Sequence, residues 1–341
     1  MKLTLNDFQR ITLGADRVCT ENGKIRFHRF NPAEELFYKE RDAAYGRSFS
    51  ARCSAPAGIR LSFSTDSESM TLRATVGAAT SRSYFSFDVF EDGVCIGHLD
   101  NFTEDSLLLD YTEQPFPLGT HERTFSLKRG ASTVTVYFPW SVFIDTMEVT
   151  LDDGAAVEAV KPQKRLLAYG DSITQGYDAT RPSNRYIAAL ADRLGAEEMN
   201  KAIGGEIFVP DLLESASDLD PNYVTVAYGT NDWSTTDGKA FLENARRFYR
   251  TLAARYSHAR IFAITPIWRA NFEDEKPFGP FSSVEELIRE ATADCQNVTV
   301  IPGFDLVGHD KALFADLRLH PRDAGFAQYA ENLYNKIGGA I

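Results

Sequence analysis

Near residue 160 the hydrophobic pattern changes period, and that change constrains the fold of this chain more than any other feature. Before it, apolar side chains alternate with polar ones. Ile59, Leu61 and Phe63 share one face of a strand, as do Met70, Leu72, Ala74 and Val76. Further strands are expected at Tyr84 to Phe90, closed by the turn Glu91-Asp92-Gly93, at Thr133 to Phe138 and at Phe143 to Leu151. Short strands broken by Gly, Asp and Ser predict a β-sandwich or jelly roll over residues 1–160. A short helix over Asn31 to Arg41 is the one helical pattern expected in this half.

After the change, strands and helices alternate. Arg165 to Tyr169, Tyr223 to Tyr228, Ala259 to Thr265 and Val298 to Ile301 read as strands. Ser183 is expected to cap a helix through Tyr186, Ile187, Leu190 and Leu194. Ala240 to Tyr256, Val284 to Ala293 and Asp323 to Ile337 complete the helical set. This order predicts an α/β domain over residues 161–341, a doubly wound parallel sheet covered on both faces. The stretch from Asp152-Asp153-Gly154 to Lys164 is the expected boundary.

Catalytic groups of such sheets lie at the carboxyl ends of the strands. Asp171-Ser172, Asn231 and Trp268 fall at such ends. Ser172 follows the apolar run Leu166 to Tyr169 and a Gly-Asp turn, a place from which a hydroxyl can face a substrate. A serine hydroxyl is a weak nucleophile near neutral pH and needs a base and an oxyanion site. His320, before Pro321 and the last helix, is the candidate base. Gly205, which allows close backbone approach, and the Asn231 amide are candidate oxyanion donors with the Ser172 N–H. Taken singly, each has an ordinary structural explanation: a helix-capping serine, a loop glycine, a turn asparagine, a surface histidine.

Together, Gly170-Asp171-Ser172, Gly205, Gly229-Thr230-Asn231-Asp232 and His320-Pro321 resemble the four signature blocks of the SGNH (GDSL-type) hydrolases. The resemblance covers residues 164–337. It implies a flavodoxin-like sheet, a Ser-His-acid triad and an oxyanion hole from Ser172, Gly205 and Asn231. No metal and no cofactor are expected. The family usually carries aspartate three residues before the histidine, but here that position is Leu317 and Asp316 stands four before. Either a loop adjustment brings Asp316 to the imidazole, or a backbone carbonyl orients the ring. Asp305 is a poorer alternative.

A β domain ahead of such a module also resembles the two-domain carbohydrate esterases, which implies an acetylated sugar or oligosaccharide as substrate. Trp233, Trp268 and Asp171 are then the expected substrate contacts, and Trp140 a more distant one. No amphipathic lid stands out, which favours small acyl groups over long chains. The alternatives are a short-chain lipase, thioesterase or acyltransferase of the same superfamily, or a carbohydrate-binding protein without turnover.

Bulk properties set the remaining bounds. The 341 residues suffice for two domains, with 43% hydrophobic and 25% charged residues. A net charge of −12 argues against nucleic acid or an anionic membrane as partner. The N-terminus lacks a signal-peptide pattern, so a cytoplasmic location is expected. Cys19, Cys53, Cys95 and Cys295 are widely spaced and read as buried thiols, and the histidines show no metal-ligand spacing. Strand edges in the β domain allow self-association.

Overall fold

The computed structural model describes residues 1–46, 48–107 and 115–338. Two compact units are present. The first comprises Met1–Asn31, Tyr38–Gln163 and Thr180–Ser183; the second comprises Pro32–Phe37, Lys164–Ala179 and Asn184–Ile341.

The first unit opens with helix α1 (Leu5–Ile11), whose capping box pairs Thr4 with Asp7. Strand β1 (Thr12–Leu13) follows, then the hairpin of β2 (Arg17–Glu21) and β3 (Lys24–His28). Helix α2 (Pro32–Tyr45) belongs to this unit from Tyr38 onward, its first residues Pro32–Phe37 being counted with the second unit, and α3 (Phe49–Cys53) follows. The strands β4 (Arg60–Thr65), β5 (Ser69–Ala78), β6 (Ser86–Glu91), β7 (Val94–Asp100), β8 (Gly119–Ser126), β9 (Ser132–Tyr137), β10 (Val142–Leu151) and β11 (Glu158–Ala159) complete the antiparallel part. One sheet runs β1-β4-β9-β6-β7 with β11 on β4, and another runs β10-β5-β8. The period-two positions Leu61, Phe63, Leu72 and Val149 from both sheets meet in one apolar cluster. That burial drives the pairing. Helix α2 falls where a short helix was expected over Asn31 to Arg41, whereas α1 and α3 are additions to the all-β expectation.

In the second unit, β12 (Lys164–Gly170) leads into the short helix α4 (Ser172–Gln175). Then come α5 (Tyr186–Arg193), β13 (Ala196–Asn200), β14 (Tyr223–Ala227), α6 (Asp232–Thr235), α7 (Gly238–Arg255), β15 (Arg260–Ile264), α8 (Ser283–Thr292), β16 (Val298–Ile301) and α9 (Asp323–Ile337). All pairings are parallel, in the order β13-β12-β14-β15-β16. Numbered within this unit, the order is 2-1-3-4-5, the flavodoxin-like arrangement, with its topological switch point between β12 and β14. Helix α5 packs on α9, where the Tyr186 and Tyr329 rings stack at 3.9 Å, and α7 packs on α8.

Two sequence expectations are corrected. Ser183 does not cap α5: its amide and hydroxyl both donate to the Asp88 carboxylate, and α5 begins after Arg185, which holds no side-chain cap. The cysteines are free thiols, but only Cys53 and Cys295 are buried; Cys19 is partly buried and Cys95 exposed.

Candidate active site

The site is set by how the chain leaves the inner strands. Gly170 ends β12, and a Cβ there would lie 2.3 Å from Thr174 Oγ1, so only glycine permits this tight entry into α4. Asp171 caps the helix by accepting from the Ile173 N–H at 2.9 Å. Ser172 follows as the first helical residue and is 6% exposed. Its N–H, at a helix start, has no intrahelical acceptor.

Two neighbouring segments are tied to this turn. The chain after β13 runs alongside the end of β12 through Lys201 N–H to Ala168 O (2.8 Å) and Ile203 N–H to Gly170 O (3.0 Å). That brings Gly204-Gly205 beside α4, where the Gly204 N–H donates to Gln175 Oε1 at 2.8 Å. Gly205 takes a left-handed φ of +82°, a conformation glycine adopts without strain. On the other side, β14 pairs with β12 up to Gly170 opposite Ala227, so Asn231 emerges next to the same turn. One Asn231 amide hydrogen goes to Glu206 O at 3.0 Å, which fixes the amide plane and leaves a second hydrogen to donate.

His320 arrives on a loop closed by a bridge between Phe314 and Pro321. Its Nε2 lies 2.9 Å from Ser172 Oγ, and its Nδ1 lies 2.9 Å from Asp316 Oδ2. These partners place the proton on Nδ1 and turn the Nε2 lone pair toward the hydroxyl. The displaced aspartate is therefore within reach, and the loop shows how. Leu317 occupies the left-handed region at φ +54° and absorbs the extra residue. Asp316 Oδ1 then accepts the N–H groups of Arg318, Leu319 and His320 at 3.0, 2.7 and 3.1 Å. Burial by itself would raise the Asp316 carboxyl, but its bond to His320, the imidazole charge and the loop amides outweigh that and hold it well below the usual carboxylate range. Asp305 pairs with His309 instead, at 3.1 Å.

Several contacts were not anticipated from sequence. Tyr177 stacks on the His320 ring with centroids 5.7 Å apart. Asp178 Oδ2 lies 3.6 Å from His320 Nδ1. Gln175 joins two of the motif blocks. No sequence periodicity marks these residues; their adjacency to Ser172 is the only available signal.

The expected substrate contacts are relocated. Trp233 has no exposed surface: its indole N–H donates to Gly279 O at 2.9 Å, and Arg269 and Lys276 lie over its ring. Trp268 is buried against His309, Phe272 and Phe314. Trp140 is buried in an aromatic cluster with Tyr84 of its own unit. None of these rings is presented to a ligand. Asp171 is a buried helix cap, its carboxyl pushed up to about 6 by burial against the opposing pull of the Ile173 N–H and His320. Asp232, beside Asn231, accepts from the Phe208 N–H at 3.1 Å and is pushed up to about 7, chiefly by burial.

Among the described residues, two donor clusters have metal-like spacing. In one, ligand atoms of Asp178, Asp316 and His320 lie within 4.8 Å of one another. A cation on Nδ1 would displace the proton to Nε2 and remove the lone pair that faces Ser172, so the two uses exclude each other. In the other, Cys19, Glu21 and His28, the Arg17 guanidinium lies 3.0 Å from His28 Nδ1. That donor keeps the ring proton on Nε2, toward Glu21. A separate cavity of about 640 Å³ is walled by Pro266, Phe272, Phe281 and Phe304, with Glu285 and Arg289 on its rim. Neither Ser172 nor His320 lines it.

A hydroxyl held against an oriented imidazole, next to backbone and amide N–H groups, can perform acyl transfer. Residues 168–328 match the family model described as GDSL-like Lipase/Acylhydrolase. No curated protein matches the chain. Similar solved structures include a salicylyl-acyltransferase from a tetracycline biosynthetic pathway, with 18% identity, 100% of this chain and 97% of that chain covered, and a TM-score of 0.79. A family two carbohydrate esterase from Cellvibrio japonicus shows 16% identity, coverage of 100% and 99%, and a TM-score of 0.65. An acetyl xylan esterase from the rumen bacterium Butyrivibrio proteoclasticus shows 13% identity, coverage of 100% and 98%, and a TM-score of 0.63. At these identities the likeness is one of fold.

Proposed function

We propose, from the match of residues 168–328 to the GDSL-like Lipase/Acylhydrolase family model, that the chain is a serine esterase acting on small acyl esters, acetyl esters of sugars first among them. The observation that carries the reading is the relay from Ser172 Oγ through His320 to Asp316, with both links at 2.9 Å.

In this mechanism Ser172 Oγ attacks the ester carbonyl while its proton passes to His320 Nε2. Asp316 holds the Nδ1 proton and stabilises the imidazolium. The N–H groups of Ser172 and Gly205 and the free hydrogen of the Asn231 amide receive the oxyanion. Collapse breaks the carbonyl-to-alkoxide bond, and His320 protonates the departing alcohol. Water, deprotonated by His320, then cleaves the acyl-serine bond and restores the hydroxyl. Buried Trp233 and Trp268 supply no stacking platform, so a sugar would be held by other residues.

Carbohydrate esterases among the similar folds support the sugar-ester reading. The acyltransferase of similar fold supports a second reading, in which an alcohol replaces water in the second half-reaction. The test is hydrolysis of p-nitrophenyl acetate by wild type and Ser172→Ala. The variant should lose turnover, and undiminished turnover would refute the assignment. Acetylated xylan and longer-chain esters assayed in parallel separate the sugar esterase from a lipase. Product analysis with added alcohols separates hydrolysis from transfer.

A further inference from the structure

The turn that presents the nucleophile also presents a second acid to the histidine. The N–H groups of Gly176 and Tyr177 both donate to Ser172 O at 2.9 Å, and the chain then turns so that Asp178 points back under His320. Its side chain has no exposed surface, and its backbone sits in the left-handed region at φ +71°. Non-glycine residues adopt that region at a cost, which aspartate tolerates better than most. A buried carboxylate is held in a strained backbone conformation 3.6 Å from the imidazole nitrogen opposite the nucleophile.

We propose that Asp178 is a second positioning residue for His320, which shares the Nδ1 side of the imidazole with Asp316 and takes over its proton contact when Asp316 is neutral or absent. This rests on the esterase reading above. The Nδ1 proton makes one short hydrogen bond, and Asp316 at 2.9 Å has it. Asp178, beyond hydrogen-bond distance, acts through its charge on the imidazolium that forms as Ser172 attacks. A movement of less than about 1 Å would bring Asp178 into hydrogen-bond range. The ring is held for that exchange by Tyr177, stacked on its face.

Other charges also face this ring. Asp171 under the nucleophile interacts with His320, and Arg269 interacts with Asp171 and Asp316. Arg318, two residues before His320 on its own loop, interacts with Arg269. None of these has an atom placed at Nδ1 as the two carboxylates have.

The test follows the His320 ring titration by NMR in wild type, Asp178→Asn, Asp316→Asn and the double variant, together with the pH profile of kcat/KM on p-nitrophenyl acetate. Asparagine tolerates the left-handed region, so Asp178→Asn keeps the turn. Asp178→Gly, which suits that φ better still, serves if the first variant does not fold. In either variant the His320 ring resonances and the acidic limb of the rate profile should move together to lower pH. Asp316→Asn should keep residual turnover, and the double variant should lose more than the product of the single losses. A His320 titration unmoved by loss of Asp178, or purely multiplicative losses, would overturn the proposal. The ring titration reads the geometry even if no ester is turned over, so a failed activity assay indicts the esterase reading and an unmoved titration indicts Asp178.

Discussion

Replacing Asp232 by asparagine should make the protein's stability far less sensitive to pH. Asp232 is enclosed, accepts the Phe208 N–H, and its Oδ2 has no hydrogen-bond partner among the described residues. Burial, with Glu206 and Asp171 nearby, lifts its carboxyl from the ordinary 3.8 to about 7. The folded protein thus holds this proton more tightly than the unfolded chain. The neutral acid supports the fold fully below about pH 4, and that support is lost as pH rises through about 7. A rise of that size, at about 1.4 kcal/mol per pH unit, amounts to about 4 kcal/mol. Asp232→Asn keeps an acceptor for Phe208 but cannot ionise. Its buried amide costs a fixed amount, about 1–3 kcal/mol, at every pH. The informative quantity is therefore the change with pH. In urea unfolding read by tryptophan fluorescence, the variant should gain about 4 kcal/mol on wild type between pH 4 and pH 8. A difference between the two proteins that stays constant across that range would refute the reasoning, because it would mean that Asp232 ionises as readily folded as unfolded.

Three further outcomes are expected. Asn231→Ala should lower kcat on p-nitrophenyl acetate by about 10²–10³, the usual loss for one oxyanion donor, with little change in thermal midpoint. Gly204→Ala places a Cβ within 2.9 Å of the Tyr177 ring, which is stacked on His320; kcat should drop by about 10² while circular dichroism stays native. Lys201 and Glu34 form a buried ion pair at 2.7 Å, so Lys201→Met should destabilise by about 3–5 kcal/mol in urea unfolding, and adding Glu34→Gln should recover part of the loss.

What could be read from sequence depended on whether one residue's surroundings decide its place. The strands β4 and β5 were legible because alternate side chains are all buried on one face. The edge strand β13 was not, since Ala196-Glu197-Glu198-Met199-Asn200 looks polar. Glu198 is buried there with the Arg185 guanidinium gripping both of its oxygens, at 2.6 and 2.9 Å, and the Asn200 amide donating at 2.9 Å, a pairing no local pattern reveals. Helix α1 is too short to show a period and rests on its Thr4–Asp7 box. In the site, Ser172, Gly205, Asn231 and His320 stood out through motif order. Asp316 looked misplaced by one position because the compensating feature is a dihedral angle at Leu317. Asp178 escaped notice for the same reason, its role resting on a left-handed φ and a distance across the fold. The tryptophans misled because a large aromatic at a strand end suits a buried wall as well as a ligand platform.

The central claim is that Ser172, with its proton taken by His320, carries the acyl group. Rapid acid quench of wild type mixed with p-nitrophenyl acetate, followed by peptide mass spectrometry, tests it directly. The account predicts one acetyl group on the peptide containing Ser172, absent after Ser172→Ala and nearly absent after His320→Ala. Ester turnover with the acetyl group on another residue, or with an unmodified Ser172 at every quench time while His320→Ala stays fully active, would contradict it.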